Sequence, residues 1–309
     1  MKLSVVINTK NSEKYIKQCL QSVKKIADEI IVVDMASTDK TLKIAQRFTD
    51  RIFQYPQPEI GYVEPAREFA FAQANGDWIF LIDSDEEIKP PLANLIKAVI
   101  NGDSQLEPAE AYFIARSNII FDKAINQTGW YPDYQLRLWQ NKAIKWQNSL
   151  HSIPKIIGKS GYFPSDPIDL AIVHHNYQTI EQFILRSHRY STLQAEAHIK
   201  EKKPQNITPD IIWKSFFDEF WRRMFLEQGI LEGNHGIALS LLQASNELHA
   251  QAKVWESQGF NWSTLNLQQI KTLRRQWLKE AKYWWAHLMV TQNKGSKKIY
   301  WQIRRKLKI

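Results

Sequence analysis

Asp83-Ser84-Asp85-Glu86 follows the most apolar strand-like run in this chain, WIFLI. Carboxylates two residues apart at a strand end can both reach into one crevice. Their natural ligand is a hard divalent cation, Mg2+ or Mn2+, which takes one or two carboxylates and fills the rest of its shell with substrate phosphates. Such a cation bridges a diphosphate and offsets the charge of a leaving group. The competing reading is a solvated acidic turn that caps the next helix, since a bare D-x-D triplet is common by chance. Two further apolar runs also end in polar residues: Thr9 and Asn11 close the first, and Asp34 closes EIIVV. Asp34 is placed to accept hydrogen bonds from a base or ribose, and Thr9, Asn11 and Glu13 to frame the same base. Asp39, or Thr38, reads as the N-cap of a following helix. His151 is a candidate metal or phosphate ligand, although a lone His is more often structural. His174-His175 is a weaker candidate again.

The elements that must position these groups alternate strand and helix over the first hundred residues. Strands are predicted over 3–9, 29–34, 51–55 and 77–82. Between them, Ser12 can cap a helix with Tyr15, Ile16, Cys19, Leu20 and Val23 on one face, and a second helix places Leu42, Ala45 and Phe48 inward. Pro65 suits the first turn of a helix that runs to Asn75 and ends at Gly76, and Pro90 or Pro91 starts another. Apolar strands between amphipathic helices predict an α/β fold whose mostly parallel sheet carries helices on both faces. Ligands of such sheets bind at the carboxyl ends of the strands, where the three polar clusters fall. From 111 to 175 the pattern is strand-like and irregular, and from 179 it is helical. The clearest stripes are Trp213, Phe216, Phe217, Phe220, Trp221, Met224 and Phe225, and later Ile270, Leu273, Trp277, Ala281, Trp284 and Leu288. Two domains are expected, 1–178 and 179–309.

The chain has 309 residues, 44% hydrophobic and 24% charged, a globular composition. It has 12 Trp and one cysteine, Cys19, so a packed thiol in a reducing compartment is expected. Neither a secretory leader nor an apolar run of transmembrane length is expected. The net charge of +9 is concentrated at one end. No acidic residue follows Glu280, whereas Lys282, Lys294, Lys297, Lys298, Arg304, Arg305, Lys306 and Lys308 do. A body so close to neutral argues against nucleic-acid binding. In KGSKKIYWQIRRKLKI, Ile299, Ile303 and Leu307 recur at helical spacing among basic residues, a composition suited to an interfacial helix on anionic lipid. A frayed, solvated tail is the competing reading.

The segments SVVINTKNSEKYI, IIVVDMASTDKT, AREFAFAQANGDWIFLIDSDEEI and GWYPDYQLRLW resemble, in order and spacing, glycosyltransferase family 2 with the GT-A fold. The bacterial branch that includes lipopolysaccharide core glucosyltransferases is the most similar, and the stretch FLEQGILEGNHGIALSLLQASNELHAQAKVWE looks like its C-terminal region. The resemblance implies an inverting, metal-dependent glycosyltransferase. Its expected partners are a nucleotide-sugar donor with a UDP-linked sugar, and a glycan or lipid-linked acceptor. It implies that Thr9, Asn11 and Asp34 hold the nucleotide, Arg67 faces the diphosphate, Asp83 contacts ribose or metal, and Asp85 binds the Mg2+ or Mn2+. Asp133 falls at the place of the catalytic carboxylate and Arg137 at that of the Arg that follows it. His151 falls where relatives often carry a His-Glu pair, and Ser152 replaces that Glu. Met35 and Glu68 also depart from the pattern and put one base contact and donor choice in question.

Apart from the resemblance, an inverting transfer needs one general base, and Asp133 between Pro132 and a strand can display its carboxylate at an edge. An Asp in a Trp-Tyr-Pro-Asp turn and a plain surface Arg137 remain the alternatives. A sugar nucleotidyltransferase would carry a Gly-rich loop after the first strand, and NTKNSEKY has no glycine. A non-catalytic module recruited through the basic tail would not need acids at three strand ends. The expected location is cytoplasmic, or peripheral on the inner face of a membrane.

Overall fold

The computed structural model describes residues 1–56, 63–145, 154–200 and 206–308. The chain forms two compact units, one of residues 1–119 and 131–176, the other of 120–130 and 177–309. In the first unit the strands are β1 (Leu3–Thr9), β2 (Glu29–Asp34), β3 (Ile52–Gln54), β4 (Trp78–Asp83), β5 (Glu86–Glu87) and β6 (Ala111–Ile120, whose last residue enters the second unit). After β7 (Lys123–Ala124), which belongs to the second unit, come β8 (Asp133–Gln140), β9 (Ile144–Lys145), β10 (Lys155–Ile156), β11 (Ser160–Tyr162) and β12 (Ile172–Tyr177). The sheet runs β3-β2-β1-β4-β8-β6-β12-β5. It is parallel from β3 to β4, and the β4–β8, β8–β6 and β12–β5 pairs are antiparallel. The parallel strands are buried on both faces, which is why they read as unbroken runs of Val, Ile and Leu.

Four helices cover this sheet: α1 (Ile16–Val23), α2 (Thr41–Ala45), α3 (Glu64–Phe71) and α4 (Pro90–Asn101). Two separate apolar layers flank it. One contains Val5, Ile7, Ile16, Leu20, Phe80, Ile82, Leu92 and Ile96. The other contains Val6, Ile31, Val33, Ala66, Ala70, Leu81 and Trp139. Alternate residues of one strand thus feed opposite layers. Cys19 is buried in the first layer, as expected of a packed thiol.

The helices are shorter than their sequence patterns predict. Helix α1 begins at Ile16 and not after Ser12, whose hydroxyl instead meets Ser84 Oγ at 2.7 Å. Helix α3 stops at Phe71, four residues before Asn75. The N-cap of α2 is Lys40 and not Asp39 or Thr38; the Asp39 carboxylate instead accepts the N–H groups of Thr41 and Glu13 at 2.9 and 3.1 Å and ties the first loop to the second.

The second unit contains α5 (Ile180–Ile199), α6 (Pro209–Trp221), α7 (Gly233–Ser257), α8 (Leu267–Gln292) and α9 (Gly295–Leu307). The aromatic stripe read over 213–225 is not one α-helix. After Trp221 the backbone widens into a π-turn over Arg222–Leu226, which brings Met224 and Phe225 into a cluster with Trp221, Trp277 and Leu288. Helix α8 opens with a full capping box between Asn266 and Gln269.

Gly76 sets the entry into β4. A Cβ there would lie 2.6 Å from Ser4 Oγ and 2.9 Å from the Lys2 carbonyl oxygen, and its N–H donates to Ser4 Oγ at 2.7 Å. Gly76→Ala is therefore expected to separate β4 from β1 locally and to cost roughly 1–3 kcal/mol. A urea titration checks this, and an unchanged midpoint would show that the strands can give way freely.

Candidate active site

The parallel register alone assembles half of the site. It sets Thr9 beside Asp34 and Asn8 beside Asp83, on neighbouring strands about 4.8 Å apart. Asp34 is fully buried; Oδ2 accepts the Ser37 N–H at 3.0 Å. Its Oδ1, the Thr9 hydroxyl, and both polar side-chain atoms of Asn8 are buried with no hydrogen-bond partner among the described residues. The Nε atoms of Arg67 and Arg137 share that condition. An unpaired buried polar atom costs roughly 1–3 kcal/mol, so six of them gathered around the carboxyl edge of one sheet need an explanation. A polar ligand at that edge supplies one.

Asn11 has a different part. It adopts φ 49°, its Oδ1 accepts the Thr38 N–H at 2.8 Å, and its N–H donates to Ser37 Oγ at 2.9 Å. Its side chain thus pins the loop after β2 against the loop after β1.

Beyond this edge lies a chain of alternating acids and arginines. Asp83 Oδ1 pairs with Arg67 at 2.7 Å and its Oδ2 with Arg137 at 2.8 Å. Arg137 also reaches Glu86 at 2.5 Å, and Glu86 accepts the Asp83 N–H at 2.9 Å. Arg116 stands 3.5 Å from Glu86 and donates to Asp133 Oδ2 from Nε and from an Nη, at 2.8 and 2.5 Å. Gln135 completes the set with a 2.8 Å bond to Asp133 Oδ1.

Arg137 is 2% exposed, so the surface-Arg reading does not hold. A bulge explains its direction. Leu136 faces Phe113 and Leu138 faces Tyr112, neighbours on β6, and Arg137 is the extra residue between them.

These contacts divide the acids by charge. Burial pushes the Asp83 carboxyl up, but Arg137 and Arg67 outweigh it and hold it well below the usual range. Burial likewise opposes ionisation of Asp133, and Arg116, Gln135 and Asn118 more than reverse it. Glu86 is raised, because burial and the nearby Asp83 charge exceed what Arg137 returns. Burial opposes the charge on Arg137 too, yet Asp83 and Glu86 raise its pKa.

Asp85 stands outside the arginine pairing. Its Oδ2 faces His174 Nε2 at 3.8 Å. The other ring nitrogen, Nδ1, lies 2.7 Å from Asn118 Oδ1. Asn118 can offer only its NH2 to the ionised Asp133, at 3.3 Å, so its oxygen is the atom turned to His174. Nδ1 is then the donor to Asn118, and in the neutral ring Nε2 turns a lone pair toward the Asp85 carboxylate. Two electron-rich atoms facing each other in this way suit a cation. Among the described residues no group of three or more His, Cys, Asp and Glu side chains gathers as a complete metal cage. Two protein ligands completed by phosphate oxygens fit Mg2+ or Mn2+ better than a cage does.

Of the residues singled out from the sequence, Thr9, Asp34, Arg67, Asp83, Asp133 and Arg137 join one edge or one network, and Asp85 borders it. His151 lies outside the described residues. Sequence reasoning missed Asn8, Arg116 and Asn118, treated Glu86 as part of a motif only, and underrated His174. A signal was present. Arg116 with Asn118, and His174 with Asn176, recur at period two in strands that open on apolar residues.

Residues 4–148 match the family model described as glycosyl transferase family 2. An uncharacterized glycosyltransferase of Rickettsia bellii is 33% identical over 235 residues, which cover 73% of this chain and 78% of the relative. The lipopolysaccharide core biosynthesis glycosyltransferase LpsC of Rhizobium meliloti is 24% identical over 258 residues, covering 79% and 90%. Among solved structures, that of S. aureus TarS 1-349 in complex with UDP-GlcNAc covers 86% of this chain and 94% of that chain, at 16% identity and a TM-score of 0.43.

The depressed pKa values of Asp83 and Asp133 carry a stability signature. Their contribution is complete above the unfolded carboxylate value of about 3.9 and is lost as pH falls below it, through their lower folded values. Asp83→Asn is expected to flatten that acid limb while lowering stability at neutral pH. Urea midpoints measured from neutral to acid pH check this, and an acid limb as steep as in the parent chain would remove Asp83 as its source.

Proposed function

This chain belongs to glycosyl transferase family 2, and on that premise we propose that it transfers a sugar, with inversion, from a nucleotide-diphosphate sugar to a hydroxyl of a glycan or lipid-linked acceptor. The observation that carries this reading is the set of unpartnered buried polar atoms on Asn8, Thr9, Asp34, Arg67 and Arg137 beside an ionised Asp133 network. Asn8, Thr9 and Asp34 offer donors and acceptors to a base and ribose. Arg67 faces the diphosphate with its remaining Nε–H. A UDP-linked donor is the family-level expectation, and similarity to LpsC, a lipopolysaccharide core biosynthesis enzyme, favours a cell-envelope glycan as acceptor.

In the transfer, the acceptor oxygen attacks the anomeric carbon from the face opposite the diphosphate. Its proton passes to Asp133, the bond from the anomeric carbon to the diphosphate oxygen breaks, and that oxygen keeps the electron pair. Arg116 keeps Asp133 ionised for this task, at the cost of some basicity, and with Gln135 fixes its direction. Asp85 and His174 would hold Mg2+ or Mn2+ against the diphosphate, with Asn118 fixing the His174 tautomer. The cation supplies charge neutralisation for the departing nucleoside diphosphate. Asp83, a candidate metal contact by sequence, has both oxygens held by arginines, so it serves here to place Arg67 and Arg137.

The direct test is release of nucleoside diphosphate from a panel of nucleotide sugars with Mn2+ and then with EDTA. Release that EDTA abolishes is expected. Release indifferent to EDTA would remove the cation, and a failure of every nucleotide sugar to bind would remove the function. Asp133→Asn is expected to lower kcat by about 10²–10⁴-fold while donor affinity stays within a few-fold; near-parent turnover would reassign the base. Asn118→Ala is expected to weaken Mn2+ binding by about 10–100-fold in an electron paramagnetic resonance titration with UDP present. Unchanged Mn2+ affinity would detach His174 from the cation.

A further inference from the structure

Helix α9 is folded the wrong way round for a helix that is finished with packing. It lies along α8, but the side chains it sets against α8 include the cations Arg305 and Lys308. Arg305 meets His287 at 3.2 Å, and Lys308 meets Glu280 at 3.3 Å and stacks over the Tyr283 ring. Trp301 is half-buried. Its apolar stripe faces away. Ile299, Ile303 and Leu307, spaced by four residues and therefore in line on one face, are 58%, 54% and 58% exposed, and Tyr300 beside them is 52% exposed. In a helix whose outer side meets only water, these positions are polar and the apolar stripe points inward.

Charge identifies what covers the stripe. Lys297, Lys298 and Lys306 are exposed around it, Arg304 borders it through its contact with Tyr300, and no acidic residue follows Glu280. A second copy of the chain would bring the same cations to the same place and repel. An anionic lipid surface meets both halves of the pattern, because the stripe sinks among the acyl chains while the lysines stay at the headgroups. No helix among the described residues is long and apolar enough to cross a membrane, so the contact is one of lying on the surface.

We propose that α9 seats this chain on anionic phospholipid through Ile299, Ile303 and Leu307, with Lys298 and Lys306 as its headgroup contacts. The inference does not depend on the catalytic reading, since adsorption requires neither donor nor cation. It adds a place of work to it: a peripheral helix would hold the chain where a lipid-linked acceptor is found.

The test is flotation of the full chain with vesicles of phosphatidylcholine, with and without phosphatidylglycerol. Binding only to the vesicles that contain phosphatidylglycerol, reduced by added salt, is expected. Lys298→Gln with Lys306→Gln should lower the partition coefficient by roughly 30-fold. Ile303→Asp should lower it by about tenfold or more. Both variants should keep the parent's unfolding midpoint, because Lys298, Ile303 and Lys306 are all exposed. Equal recovery with both vesicle types, or undiminished flotation of Ile303→Asp, would overturn the proposal. So would a dimer in sedimentation that Ile303→Asp dissolves, since the stripe would then belong to a second copy.

Discussion

The constraint on which the site depends is the confinement of Asp83, Glu86 and Arg137 in a sheet interior, where no carboxylate stays ionised without a cation against it. Arg137 meets both acids, and Arg67 and Arg116 extend the alternation to either side. Such a network gains little stability over a well-packed apolar core, because desolvating each ion costs about as much as pairing it returns. What it provides is position. Asp83, Glu86 and Asp133 each have their direction fixed by a planar guanidinium with a rigid set of donors, so Asp133 stands at the end of an arrangement that cannot drift without exposing an unpaired buried charge.

The network also explains how four carboxylates with the same intrinsic chemistry acquire separate tasks. Asp83 has both oxygens held by arginines. Glu86 is buried deepest and is raised by that burial. Asp133 is held ionised by Arg116, with Gln135 on its other oxygen. Asp85 has no guanidinium against it, so the negative charge left over resides there, opposite His174. Asn118 links the two ends. One amide group touches both Asp133 and His174, so the side chain that orients the imidazole also contacts the base.

The second unit is built on different physics. One of its clusters is rich in aromatic rings, with a π-turn after Trp221 that redirects Met224 and Phe225 toward Trp221, Trp277 and Leu288. Its last helix departs from that economy by turning Ile299, Ile303 and Leu307 outward. The same segment concentrates positive charge, since no acidic residue follows Glu280.

Sequence alone was enough for the parallel half of the sheet, because strands buried on both faces must be continuously apolar and their period is visible. It was enough too for the three polar strand ends, since the carboxyl edge of such a sheet is where polar residues can follow apolar ones. Tertiary structure alone decided the partners. That Arg137 turns inward follows from a bulge opposite Phe113 and Tyr112, and a bulge leaves no mark in a local pattern. That Arg116 belongs to Asp133, and Asn118 to His174, follows from β6 lying between β8 and β12, an order no single strand encodes. That α9 shows its apolar face outward follows from which side of it met α8. Periodicity reveals that a helix has an apolar face; only packing determines what that face is turned toward.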